Sequence, residues 1–393
     1  MVNGDSVSTK AERLGKFVHR KVYILDKKNV YWGSGYISLA ENKTSDERNI
    51  REKSPEVSFR KSRTTLPHWL DKFLFEQLTA VYAPEYSRYE YNLDLSENEV
   101  GVYLGTYFPR SYAEVFCIAD NLFQNPNIMS LLDSLQKIRI FDFCAGTGGE
   151  LMGLLCAIDK YFAECKTIEI FACDGNEIAL GKLSQILETH SSRTPHQINV
   201  RTEKYTISSE EDIARLTNAH DKYDFVLCNK VVCELISHHV VQSGYKGVAR
   251  NLCKALSVKG LFLMLDVTTK EEKLQKFYPQ LMNSQINELV REDERLATLL
   301  PLSCATYKEC KTGCFVQQSF VITHSHKQKD ESRVCYRILC RKEFKEKMWS
   351  KRLDGFAHVV NPQKYKQGLD DARCIYGRVC DTTPIDSYNI NIL

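Results

Sequence analysis

The stretch Ile138-Arg139-Ile140-Phe141-Asp142-Phe143-Cys144-Ala145-Gly146-Thr147-Gly148-Gly149-Glu150 constrains this chain more than any other. An apolar run of strand character enters an acidic residue, a glycine-rich bend and the start of a helix. Glycine lets a backbone turn tightly enough after a strand for amide N–H groups to approach a ligand, and the helix start adds partial positive charge. A nucleotide-type ligand is therefore expected at the bend. A second apolar strand, Ile168 to Cys173, ends at Asp174, where a carboxylate can accept hydrogen bonds from two ribose hydroxyls.

Length and composition set the frame for that site. With 393 residues, 43% of them hydrophobic, the chain is large enough for one sizeable α/β domain with additions. No run approaches the ~18 apolar residues that span a bilayer, and Met1-Val2-Asn3-Gly4-Asp5-Ser6 has no apolar signal core, so a cytoplasmic protein away from the membrane is expected. Fifteen cysteines in a long, unsignalled chain are expected as reduced thiols, with Cys117, Cys156, Cys228 and Cys253 acting as small hydrophobes inside apolar runs.

Asp142-Phe143-Cys144-Ala145-Gly146-Thr147-Gly148 resembles the first motif of class I S-adenosylmethionine-dependent methyltransferases, acidic-x-Gly-x-Gly-x-Gly, with Cys144 in place of the first glycine. The similarity runs over roughly residues 107 to 341. An NAD-binding Rossmann domain would space its glycines Gly-x-Gly-x-x-Gly, which is missing here. The resemblance implies a Rossmann-like α/β fold, a mostly parallel sheet closed by a C-terminal antiparallel hairpin, and S-adenosyl-L-methionine as cofactor. It implies that Asp142 orients the loop or meets the methionine amino group, that Cys144, Ala145, Gly146, Thr147 and Gly148 form the cofactor loop, and that Asp174 binds the ribose. Asn176 either touches the ligand or caps the next helix. In this superfamily the segment before the first strand closes over the cofactor, which makes Tyr107, Arg110 and Tyr112 candidates to meet its carboxylate, with packing and capping as the alternative.

Four regions are expected along the chain. Residues 1–65 read as an N-terminal extension in which Arg20–Leu25 and Val30–Ile37 pair as short strands, followed by a charged mobile loop over 41–65 carrying Arg60, Lys61 and Arg63. Residues 66–130 read as a helical cap segment. There, apolar positions 70, 73, 74, 78 and 81 trace one helical face before Pro84, and a second helix runs from Ser111 to Phe123. Residues 131–341 hold the cofactor domain. Its helices carry Leu151, Leu154, Leu155, Ile158 and Phe162, then Ile178, Leu183, Ile186 and Leu187 inward, and a third helix lies around Tyr245 to Leu256. Its later strands fall at 198–202, 223–228 and 260–267, and a hairpin of 314–324 and 333–341 turns through polar residues 325–332. Residues 342–393 form a basic C-terminal extension. From Arg341 to Arg378, ten Lys/Arg stand against five acids, a solvated face or a surface for an anionic partner.

Parallel strands deliver loops 143–149, 174–176, 203–208, 229–234 and 266–268 to one edge. On the acceptor side, Cys228-Asn229-Lys230-Val231-Val232-Cys233-Glu234-Leu235 lacks the Asn/Asp-Pro-Pro-aromatic motif that grips an exocyclic amine, and no strand end carries the Pro-Cys pair of pyrimidine C5 methylation. Asn229, Lys230 and Glu234 are the catalytic candidates, able to position or deprotonate an acceptor. Asn229 also borders the cofactor, and Glu234 is equally explained by a helix dipole. Tyr107-Phe108-Pro109-Arg110-Ser111-Tyr112-Ala113, with Asn229-x-x-x-x-Glu234-Leu235, resembles the methyltransferase-like family associated with assembly of the mitochondrial small ribosomal subunit. That resemblance implies ribosomal RNA or a ribosomal precursor as partner. A small-molecule acceptor and a catalytically silent RNA- or protein-binding scaffold stay open. Cys304, Cys310 and Cys314, spaced C-x5-C-x3-C before His324 and His326, do not match the zinc knuckle, nor do Cys374 and Cys380, so no metal is expected.

Overall fold

The computed structural model describes residues 24–26, 29–31, 62–84, 93–218, 222–271, 273–300, 315–349 and 358–360. β1 (Ile24–Asp26) and β2 (Asn29–Tyr31) form the expected N-terminal hairpin, with Asp26 opposite Asn29 and strands shorter than the sequence suggests. β3 (Ser62–Thr65) corrects the expected loop at its end, because these four residues join the main sheet in parallel register with a late strand. The rest of that loop, Arg60 and Lys61 included, lies outside the described residues.

The cap segment begins with α1 (His68–Lys72), continued by a π-helical turn over Phe73–Gln77. Leu70, Leu74 and Leu78 are buried as their spacing predicts, but the helix stops before Val81, which is half exposed. α2 (Glu97–Thr106), not expected from the sequence, opens on a capping box between Ser96 and Glu99. α3 (Phe108–Phe123) starts three residues earlier than Ser111, since Pro109 suits the first turn, where its missing N–H costs nothing. α4 (Pro126–Asp133) then leads into the sheet, its first amides capped by Asn125.

Residues 131–341 alternate strand and helix: β4 (Lys137–Phe143), α5 (Gly149–Tyr161), β5 (Thr167–Asp174), α6 (Glu177–Ser191), β6 (Gln197–Lys204), α7 (Glu210–Asn218), β7 (Tyr223–Asn229), α8 (Val232–Ser237), α9 (Gly244–Leu252) and β8 (Leu256–Val267), of which α7 was not expected from the sequence. β9 (Lys270–Glu271) and β10 (Lys276–Phe277) pair as a small ladder before α10 (Tyr278–Glu292) and β11 (Leu296–Leu300). β12 (Phe315–His324) and β13 (Lys327–Arg341) form the closing hairpin. Its turn is only Ser325 and His326, so most of the polar stretch expected as turn is strand. α11 (Lys342–Trp349) and β14 (His358–Val360) end the described part.

The main sheet runs β14-β12-β13-β8-β7-β4-β5-β6, with β11 also on β13 and β3 on β12. β6, β5, β4, β7 and β8 are parallel, and β13 lies antiparallel to β8 and β12. This is the expected Rossmann-like α/β architecture, with a mostly parallel sheet and a C-terminal antiparallel hairpin. Side-chain alternation divides the core in two. Ile138, Ile140, Ile168, Ile170, Phe225, Leu227, Leu263 and Ile338 pack with α1, α3, α5 and α6, whereas Phe141, Phe171, Val226, Phe262 and Leu339 pack with α8, α9 and α10. Ile178, expected inward on α6, is partly exposed because it lies on the opposite side of the helix from the buried Leu180 and Leu187.

α3 and α5 approach closely for a local reason. A Cβ at Gly149 would lie 2.6 Å from the carbonyl oxygen of Phe108, and one at Gly153 would lie 2.5 Å from that of Tyr112. The two glycines, one turn apart, let the start of α3 sit over the start of α5 and thus over the strand ends. No helix among the described residues is long and apolar enough to cross a membrane.

Candidate active site at the strand ends

Alternation also decides what the strand ends present. Asp142, Asp174 and Asn229 share the parity of Ile140, Ala172 and Leu227, so all three point to the face covered by α3 and α5. Between β4 and α5 the backbone takes left-handed conformations three times, at Cys144 (φ 56°), Gly146 (φ 50°) and Gly148 (φ 78°). These are the three glycine positions of the resembled motif, which gives the motif its physical meaning. Cys144 occupies the first of them at a cost in strain that a glycine would not bear.

The loop is held from the next strand. Asp174 accepts hydrogen bonds from the Gly146 amide at 2.8 Å through Oδ2 and from the Asn176 amide at 2.8 Å through Oδ1. The Ala145 amide donates to the carbonyl of Cys173, and the Gly148 amide donates to that of Ala145. Orienting the loop, expected of Asp142, thus falls to Asp174. Asn176 caps α6 by accepting from the Ala179 amide, and its own amide group donates to the carbonyls of Leu93 and Leu95. Both ends of that side chain are therefore committed to the protein, and Ala145 and Thr147 are buried.

Asp142 is fully buried, and neither carboxylate oxygen has a hydrogen-bond partner. Burial, then the charges of Glu150 and Asp174, push its carboxyl well above the ordinary carboxylate range. Glu150, in the first turn of α5, is pushed up to about 7 by burial, against the pull of its backbone hydrogen bond, Lys230 and the Asn229 amide. The other polar atom of Asn229, Oδ1, is buried without a partner. Lys230, itself left-handed at φ 57°, places its ammonium 2.8 Å from the fully buried Glu114 of α3 and donates to Ser111 Oγ at 3.3 Å.

The remaining candidates divide. Arg110 is bound bidentately to the buried Asp330 of β13, at 2.9 Å from Nε and 2.8 Å from Nη2, and so fastens α3 to the closing hairpin. Tyr112 is buried and stacked on Phe116. Tyr107 stays half-buried at the junction of α2 and α3, its ring centroid 5.1 Å from that of Tyr103. Burial, countered by Arg110 and reinforced by Glu234, raises its phenol. Glu234, half-buried in α8, also bears electrostatically on Tyr103 and Cys144. It is held in place by its helix, whose start is tied to Asp266 at the end of β8. That carboxylate accepts from the Cys233 amide and the Tyr245 hydroxyl, each at 2.8 Å.

Glu114, Glu150 and Tyr245 were not expected at the site, and Asp266 was expected there only as part of its loop. Glu150 stood next to the glycine loop and could have been read as the first-turn acid of α5. Nothing in the periodicity of α3 marked Glu114. Cys304, Cys310 and Cys314, and most of the basic C-terminal extension, lie outside the described residues. Cys117, Cys228 and Cys253 are buried free thiols, while Cys156 is partly exposed.

No family model matches the chain, and no curated protein matches it. Among solved structures it is similar to the plantazolicin methyltransferase BpumL in complex with SAH, at 12% identity and a TM-score of 0.32, over 58% of this chain and 76% of that one. It is also similar to an S-adenosylmethionine-dependent methyltransferase from Clostridium acetobutylicum, at 12% identity and a TM-score of 0.29, over 56% and 90%. A putative rRNA-methylase from Clostridium thermocellum is similar at 9% identity and a TM-score of 0.31, over 56% and 96%.

Proposed function

We propose that this protein is an S-adenosylmethionine-dependent methyltransferase. The observation that carries the reading is the loop after β4, left-handed at Cys144, Gly146 and Gly148 and pinned to Asp174 at the end of β5. The unpartnered acceptors of Asp142 and Asn229 fit a ligand that brings N–H donors and positive charge, as the methionine ammonium does. The bound cofactor would supply a methyl group activated on a sulfonium. The protein's part is to align donor and acceptor and to exclude water. Gly146 and Gly148 admit the cofactor closely, Asp142 and Asn229 receive its amino group, and Asp174 holds the loop and lies where the ribose belongs. Tyr107 and Tyr103 close the site from the cap segment, and Glu234 is the side chain we assign to the acceptor's proton.

Titration calorimetry tests the cofactor assignment. Asp174→Ala removes two charge-assisted hydrogen bonds, and at roughly 1.5 kcal/mol each the affinity should fall about a hundredfold. Gly146→Val should abolish binding by forcing a branched side chain into a left-handed position. Unchanged affinity in both variants would remove the assignment.

For the acceptor we favour RNA or a ribosomal precursor over a small molecule, on the basic sequence from 341 to 378. RNA binding should weaken steeply with salt, and the slope should flatten when Lys345, Lys347, Lys351 and Arg352 are neutralised. Salt-insensitive binding points to the small-molecule reading. One observation favours a catalytically silent scaffold: the Lys230 ammonium is occupied by Glu114, and the Asn229 amide is engaged with Glu150. Transfer of labelled methyl to RNA, protein or metabolite pools, lost in Asp142→Ala, excludes the scaffold.

A further inference from the structure

Three carboxylates and one ammonium are enclosed where α3, α5 and the end of β7 meet. Glu114 and Asp142 are fully buried, Glu150 is nearly so, and Lys230 sits against Glu114. An unpaired buried carboxylate costs several kcal/mol unless it takes up a proton or gains a cation. With Lys230 matched to Glu114, the deficit falls on Asp142 and Glu150. An independent sign lies beside them. Asn229 meets Glu150 through its amide nitrogen, while its Oδ1 is buried without a donor, as are both oxygens of Asp142 and those of Glu114, which meets Lys230 as an ion pair and not as a hydrogen bond.

We propose that Asp142 and Glu150 hold a proton between them in the free protein and release it when the cationic cofactor binds, which makes Glu150 a determinant of specificity for the cofactor's positive charge. This rests on the methyltransferase reading. The groups that bear electrostatically on one or both members of the pair are Glu114 from α3, Tyr103 from α2, Asp174 from β5 and Lys230 after β7, with the thiols of Cys173 and Cys228 from the other face of the sheet. The charge of Asp174 is already met by the amides of Gly146 and Asn176. Lys230 is therefore the one cation in this group, and it is engaged. Burial raises both Asp142 and Glu150, so the free site retains a proton near neutrality. A cation entering the site lowers them and drives the proton to solvent.

The full chain is titrated with S-adenosylmethionine at pH 6 and 7, in phosphate and in an amine buffer whose ionisation enthalpies differ, and with 5′-methylthioadenosine, which lacks the amino-acid group. About one proton should be released per cofactor bound, and affinity should rise about tenfold from pH 6 to pH 7. Methylthioadenosine should bind without proton release. Glu150→Gln should flatten the pH dependence, and Asp142→Asn serves as a second variant. The wild-type comparison needs neither. Cofactor binding with no proton release and no pH dependence overturns this inference and leaves the methyltransferase reading intact. No cofactor binding at any pH overturns both.

Discussion

Arg110 and Glu114 stand one turn apart on α3, and each enters a buried charged cluster of a different kind. Arg110 meets Asp330 with two matched hydrogen bonds, reinforced by the Tyr82 hydroxyl at 3.3 Å and by His324 at 3.6 Å, whose ring lies between Phe75 and Tyr82. Those partners keep the Asp330 carboxyl below its ordinary range although burial works against them. Glu114 meets Lys230, but the carboxyls beyond it, on Asp142 and Glu150, are pushed up. In one cluster the opposite charges of Arg110 and Asp330 are matched within the protein, and the pair acts as a fastening. The other is short of positive charge and of donors at the place where the loop and strand ends converge. Balance of charge, rather than burial, separates the structural cluster from the functional one.

The largest test of that contrast is Lys230→Met, which strands a fully buried carboxylate and should lower unfolding free energy in urea by about 3–5 kcal/mol. Adding Glu114→Leu should restore most of the loss, because the isolated charge is gone. A double variant as unstable as the single one would mean that the pair is not the source of the effect. Asp330→Asn should cost less, about 2 kcal/mol by the same measurement, since Arg110 retains some exposure and the amide oxygen still accepts a hydrogen bond. It should leave cofactor affinity within about twofold if the cluster is only a fastening.

The two clusters should respond to pH with opposite sign. Glu150 lies at about 7 when folded against 4.5 ordinarily, so the folded state binds its proton more tightly. Its contribution is present below about pH 4.5 and is lost as pH rises through 7, a decline of roughly 3 kcal/mol that Glu150→Gln should remove. Asp330 is depressed, so its contribution is present above pH 4 and is lost as pH falls through its lower folded value. Unfolding of the free protein between pH 5 and 8 therefore isolates the first cluster from the second. The smallest effect belongs to the loop backbone. Cys144→Gly relieves a left-handed cysteine and should stabilise by about 1 kcal/mol, seen as a small rise in Tm.

The five parallel strands β4 to β8 were legible because each alternates or runs apolar over five or more residues between clear breaks, whereas β9, β10 and β11 were not read as strands. The first helix after the glycine loop was legible from its stripe. α2 was not, since its buried positions include Gly101, Gly105 and Thr106, whose close approach to the backbone near Val81 carries no apolar period. Within the site, Asp142, the three left-handed positions and Asp174 could be read from local sequence. The commitments of Arg110 and Lys230 could not, because Asp330 lies 220 positions from Arg110 and the choice of a partner depends on which helix crosses which strand end.

The sequence by itself determined the parallel order of strand and helix, the sharp turn after β4 and the two acids at successive strand ends, all of which depend on contacts within a few residues or on side-chain period. Tertiary structure decided which charges were neutralised. Gly149 and Gly153 bring α3 against α5, and that approach places Glu114 beside Lys230 and Arg110 within reach of the hairpin. The same approach encloses Asp142 and Glu150 away from water, where the energy of a charge depends on every group packed around it.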